Sequence, residues 1–156
     1  MRQFIAACLW IPAAFLAAPV QLNAWSDPAV KAEAVTGIEK QNADLIRLSD
    51  EIWTFAETAL RETRSAEALA DYAEKNGFAV QRGVAGMPTA FVASYGAGHP
   101  IIGILGEYDA LPGISQKAQP TQEALAAGAP GHGCGHNLFG AASLGASVAI
   151  KNLIAA

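Results

Sequence analysis

The amino-acid sequence predicts the opening of an α/β or α+β domain. Three observations predict it. Two helical stretches come before three short apolar runs in chain order. The last of those runs, residues 100–106, is continuously apolar, as in a strand buried on both faces. A long loop carrying Pro112, Pro120 and Pro130 then leads from that run into a closing alanine-rich helix.

The elements follow in order. Ser26-Asp27-Pro28 has the form of a helix start, with a capping side chain and proline in the first turn. Ile38, Leu45, Ile46, Leu48, Ile52, Trp53 and Phe55 recur at helical spacing, so helix is expected to about Leu60, with a break near Gly37. A second helix is expected from Ser65 to Asn76. Ser65 serves as its cap, Ala68, Leu69 and Tyr72 as its apolar side, and Gly77 as its stop. Short strands are expected at 78–81, 89–95 and 100–106, and a helix from Asn137 to the end. Ligands in open α/β sheets sit beyond the carboxyl ends of strands, so the loop after residue 106 is the place to look for a site.

The 156 residues are 52% hydrophobic and 15% charged, with a net charge of −4. That is too apolar for a disordered chain and has enough length for one real core. No basic patch is present, so nucleic acid is not an expected partner. The first 24 residues differ from the rest. Arg2 is their only charge, an apolar stretch runs from Phe4 to Leu16, and small residues follow to Ala24. This is the pattern of a cleaved signal peptide, and the run falls short of the roughly 20 residues of a membrane span. The expected boundaries are 1–24 for the signal and 25–156 for the domain. The expected location is periplasmic or secreted, with no membrane association after cleavage. Cleavage after Ala18 is the other candidate. Removing 1–24 takes away Cys8 and leaves Cys134 as the sole cysteine. A lone thiol in an exported chain forms no internal disulfide, and is either a metal ligand or a small buried hydrophobe.

His132, Cys134 and His136 alternate with glycines in Gly131-His132-Gly133-Cys134-Gly135-His136-Asn137. In an extended segment, alternation would put all three side chains on one side. Imidazole and thiolate are good ligands for zinc and other first-row ions, whereas the plain alternative is a glycine-rich turn. Three donors do not fill a site, so others must come from elsewhere. Glu107 and Asp109 sit just past the third apolar run. They either bind a metal or orient a ligand histidine, or simply solvate a strand end. Glu57 and His99 are expected to be solvent-facing, and Trp53 and Phe91 to be core. A non-enzymatic exported metal-binding module, and a thiol enzyme with Cys134 as nucleophile, are the competing functional readings.

Gly103-Ile104-Leu105-Gly106-Glu107-Tyr108-Asp109-Ala110-Leu111-Pro112, followed by the Gly131–Asn137 segment, resembles the amidohydrolase branch of the aminoacylase/carboxypeptidase zinc metallopeptidase family. Within that branch the likeness is to the aminobenzoyl-glutamate utilization group. Trp53–Glu57 and Arg82–Ala90 carry it further, over roughly Ile38 to the end. The resemblance implies an α/β metallopeptidase-like catalytic domain with a central mixed sheet flanked by helices. It implies hydrolysis of small-molecule amides of the N-acyl amino acid or aminobenzoyl-glutamate type, with zinc or manganese as cofactor. It assigns Cys134 and His136 as metal ligands and Asp109 as the aspartate that supports the catalytic metal. Glu107, where more distant relatives have a histidine ligand, and His132, which matches a family histidine, are the further candidate ligands. Relatives are longer and are expected to be homo-oligomers. Their catalytic glutamate, later ligands and lid or dimerisation domain lie past the corresponding end of this chain, which is expected to be an N-terminal fragment.

Overall fold

The computed structural model describes residues 27–155. The signal expected at 1–24 lies outside them. The elements are α1 (Pro28–Glu39), α2 (Asn42–Phe55), α3 (Thr63–Lys75), β1 (Ala79–Arg82), β2 (Phe91–Ser94) and α4 (His136–Ala155). The described residues therefore mix four helices with a two-stranded sheet.

Asp27 caps α1 by accepting from the Ala29 N–H at 2.8 Å, and Pro28 opens the helix. The break between α1 and α2 falls at Lys40–Gln41 rather than near Gly37. Gly37 stays helical and faces α4, where a β-carbon would meet that of Ala149 in ordinary contact at 3.6 Å. The Gln41 side chain donates to the Gly37 carbonyl at 2.9 Å and accepts from the Tyr72 hydroxyl at 2.9 Å. It thereby ties the interrupted helix to α3.

Helix α3 starts two residues before the expected Ser65, which is fully buried as its third residue. It ends at Asn76–Gly77 as expected. Gly77 takes a φ of +83°, and the Phe78 N–H reaches back to the Ala73 carbonyl. Strands β1 and β2 pair antiparallel with Ala79 opposite Ser94 and Arg82 opposite Phe91. The core lies between α2, α3 and α4, from Leu48, Ile52, Leu69, Tyr72, Ala73, Ala141, Leu144 and Val148. Phe78, Val80 and Phe91 close it from the sheet side. Helix α4 is long and apolar enough to cross a membrane by composition. Its buried face instead packs on α1, α2 and α3, as a core helix does.

The third expected strand is absent. Residues 100–106 take no strand pairing, and Ile101 and Leu105 are 81% and 72% exposed. A run that is apolar on both faces forms a stable strand only between neighbours on both edges and layers on both faces. Among the described residues it has only α4 beneath it. Ser143 Oγ donates to the Leu105 carbonyl at 2.8 Å, and Gly106 sits against Ser143 and Gly140. The central sheet expected from the sequence is thus represented here by one hairpin-like pair.

Candidate metal centre

The site is assembled by backbone contacts between three distant segments. The Ala110 N–H donates to the Glu57 carbonyl at 2.7 Å, which ties the 107–111 segment to the turn after α2. Leu111 and Gly131 then exchange two N–H···O bonds, each of 3.0 Å. That exchange closes the long loop on itself, and Ser115 pairs with Ala129 inside it. The closure carries the Gly131–Asn137 segment alongside Glu107 and Asp109. Gly131 permits it, since a β-carbon there would lie 2.6 Å from the Ile114 carbonyl oxygen; on Gly133 a β-carbon would meet only the movable end of the Ile114 side chain, at 2.4 Å.

His136 opens α4 and lies between the two carboxylates. Its Nδ1 donates to Asp109 Oδ1 at 2.7 Å, and its Nε2 is 3.0 Å from Glu107 Oε2. An aspartate on one ring nitrogen fixes the imidazole's orientation and leaves the other as the working atom. The resemblance implied that Asp109 supports this site and left Glu107 as a further candidate; the structure sets both carboxylates against His136.

The other two donors do not join them. The expected alternation is broken: residues 133–134 bend, Gly135 takes a φ of +78°, and the helix begins at His136. Cys134 is free and exposed. His132 turns toward α2, where its Nε2 donates to the Ile52 carbonyl at 3.0 Å. That carbonyl also accepts the Ala56 N–H, the C-terminal bond of α2. Burial is the main influence that lowers the His132 pKa, and nearby His136 adds to it. The bond to Ile52 and the charge of Asp109 oppose it. His132 is therefore held neutral, with Nδ1 as a bare lone pair. That atom is buried and has no hydrogen-bond partner. Among the described residues, no three His, Cys, Asp or Glu side chains surround a common point.

Glu57 is not the solvated helix residue that the sequence suggested. Its side chain is 12% exposed. It accepts from the N–H and hydroxyl of Ser65, each at 2.9 Å, and from the N–H and Nε of Arg64. It thus satisfies the open N–H groups at the start of α3. Burial is the largest single influence on Glu57 and pushes its pKa up, but the four hydrogen bonds together outweigh it and hold the carboxyl below its ordinary value. A lowered folded pKa means that the stabilisation is complete at neutral pH and is lost as pH falls through that value. Glu57→Gln is therefore expected to flatten the acid side of the stability curve below about pH 4.5. Glu57→Ala is expected to cost about 1–3 kcal/mol at pH 7, because the α3 donors are left unpaired. Urea unfolding across pH checks both.

Some supporting residues gave no sequence signal. Tyr108 stacks on Phe91 with ring centroids 6.1 Å apart and donates its hydroxyl to the Thr89 carbonyl at 2.5 Å. Burial, with a smaller contribution from the charge of Glu62, pushes its pKa up to about 12. Gly140 lets α4 approach the site, since a β-carbon there would lie 2.9 Å from the Glu107 carbonyl oxygen. Its position four residues after His136 was the one legible hint.

No protein-family model matches the chain. A curated protein does: a subunit of p-aminobenzoyl-glutamate hydrolase from Escherichia coli (strain K12) is 48% identical over 117 residues. The match covers 73% of this chain and 24% of that protein. The chain thus spans about a quarter of the length of the curated relative it matches.

Proposed function

As this chain is a relative of an amidohydrolase subunit, we propose that it supplies part of the metal centre of a hydrolase that cleaves amides next to a carboxylate, of the p-aminobenzoyl-glutamate type. The observation that carries this reading is His136, set between Asp109 and Glu107 at 2.7 and 3.0 Å.

The donor chemistry fits a divalent ion such as zinc or manganese. His136 Nε2 and Glu107 Oε2 already meet at 3.0 Å, and a cation would be held by Nε2 with the Glu107 carboxylate beside it. Asp109 would keep its bond to Nδ1 and orient the ring. Cys134, exposed two residues earlier on a loop bounded by glycines, is the proposed thiolate donor. The bare Nδ1 of His132 keeps that residue among the candidates, although its burial places it farther from solvent than the others. Two donors that meet and one nearby are a part-site, so the remaining ligands and the general base are proposed to come from polypeptide outside these residues. When bound, the ion would polarise the scissile amide carbonyl and acidify a water. Export of the protein, read from residues 1–24, remains part of this proposal, as does oligomerisation of the complete hydrolase.

The test is a graft. The matching segment of the Escherichia coli relative is replaced by this chain, and release of glutamate from p-aminobenzoyl-glutamate is measured. The graft is expected to be active with zinc or manganese and dead with Cys134→Ser or His136→Ala. The 156-residue chain alone is expected to give no turnover. Turnover by the chain alone, or activity in the grafted His136→Ala variant, would contradict the proposal.

A further inference from the structure

The segment Glu107-Tyr108-Asp109 is held from its far side by a buried polar chain that no part of the proposed reaction uses. Side chains alternate along an extended segment, so Tyr108 points away from the two carboxylates that flank it. Its hydroxyl donates to the Thr89 carbonyl at 2.5 Å, and its ring lies on Phe91 of β2. The Thr89 hydroxyl donates in turn to Glu62 Oε2 at 2.7 Å. Thr89 and Glu62 are only 8% and 7% exposed. Glu62 stands at the N-terminal end of α3, where the helix dipole favours its charge.

A buried carboxylate is a poor choice for stability alone, because an apolar residue of similar volume generally does as well or better. What a hydrogen-bonded chain adds is direction. On the opposite side, Gly140 brings α4 against the Glu107 carbonyl. The segment therefore lies between Gly140 of α4 on one side and Phe91 of β2 on the other. We propose that Tyr108, Thr89 and Glu62 form a positioning relay that holds Glu107 and Asp109 against the His136 ring. The relay rests on the metal-centre reading for its purpose, but its geometry can be tested without metal.

The test uses the metal-free chain and the ring N–H signals of His136 in proton–nitrogen NMR. The parent chain shows a slowly exchanging Nδ1–H that Asp109→Asn removes. Tyr108→Phe, which keeps the ring and loses only the hydroxyl, speeds exchange of that proton about tenfold, the factor expected when one hydrogen bond that holds the segment is lost. Thr89→Val, which cuts the link to Glu62, shifts exchange in the same direction, and Thr89→Ser restores the parent rate. A purely structural role would lower the melting temperature without moving this signal selectively. The relay is overturned if the parent shows no Asp109-dependent signal, or if the folded Tyr108→Phe or Thr89→Val variant exchanges at the parent rate. A Co(II) titration separates the two claims. If the parent shows the signal and Tyr108→Phe accelerates its exchange, but the parent binds no Co(II), the relay stands and the metal reading falls.

Discussion

With the proposed metal centre, His136→Ala is expected to abolish divalent-metal binding. The expected loss is about a hundredfold or more, since one of the two donors that meet is gone and Glu107 is left without its partner. The effect is local: the ring is part-exposed at the first turn of α4, and the core lies further along the helix at Ala141, Leu144 and Val148. The melting temperature should therefore change little while the binding isotherm collapses. Asp109→Asn keeps a hydrogen-bonding group beside Nδ1 but no longer demands a proton there. It is expected to weaken binding by about tenfold. Calorimetric titration with zinc measures both, and equal affinities for the parent and His136→Ala would remove His136 from the site.

Gly140→Val is expected to damage fold and site together. Glycine costs a helix about 1 kcal/mol against alanine and valine about 0.6, so helix propensity returns only a few tenths of a kcal/mol. The new β-carbon would lie 2.9 Å from the Glu107 carbonyl oxygen, 3.3 Å from Leu69 and 3.4 Å from Tyr108. The first of these is backbone and cannot swing aside. Overpacking of this kind costs about 1–3 kcal/mol, so it wins over propensity. Because the displaced atom belongs to Glu107 itself, metal affinity should fall along with stability. Ala142→Val, on an exposed position of the same helix, is the control and should cost about half a kcal/mol by propensity alone. Denaturant unfolding of the two variants gives the comparison.

What could be read from the sequence was what depends on local pattern. Asp27-Pro28 marked the start of α1 and Gly77 the end of α3, because capping geometry is set by neighbouring residues. The three apolar runs were visible, but whether each is a strand depends on partners. Residues 79–82 and 91–94 found one another, and 100–106 found none among the described residues. Periodicity records the burial a segment suits, not the burial it receives. The break before α2 was misplaced because Gly37 stays inside α1, as a lone glycine in a helix can, and the turn falls at Lys40–Gln41.

The site shows the same division. His136 stood out by residue type and Asp109 through the resemblance, with Glu107 as a further candidate, and the loop closure at Leu111–Gly131 unites them. Strict alternation put His132, Cys134 and His136 on one side of the segment, but the left-handed Gly135 and the helix start turn His136 away from the line of the loop, and His132 turns to the Ile52 carbonyl instead. Glu57 looked like a surface residue at the end of a helix, yet it caps the next one. Its partners lie seven and eight residues ahead, beyond the reach of any short capping motif.

The central claim is that this chain carries part of a metal centre built on His136 and Cys134, and a Co(II) titration followed by absorption tests it most directly. A part-site predicts weak binding, reversed by chelator, with a thiolate-to-cobalt charge-transfer band that Cys134→Ser abolishes and that is missing in His136→Ala. Tight binding of one ion by the isolated chain would instead identify a self-sufficient metal-binding module, and the absence of any thiolate band would contradict the assignment of Cys134.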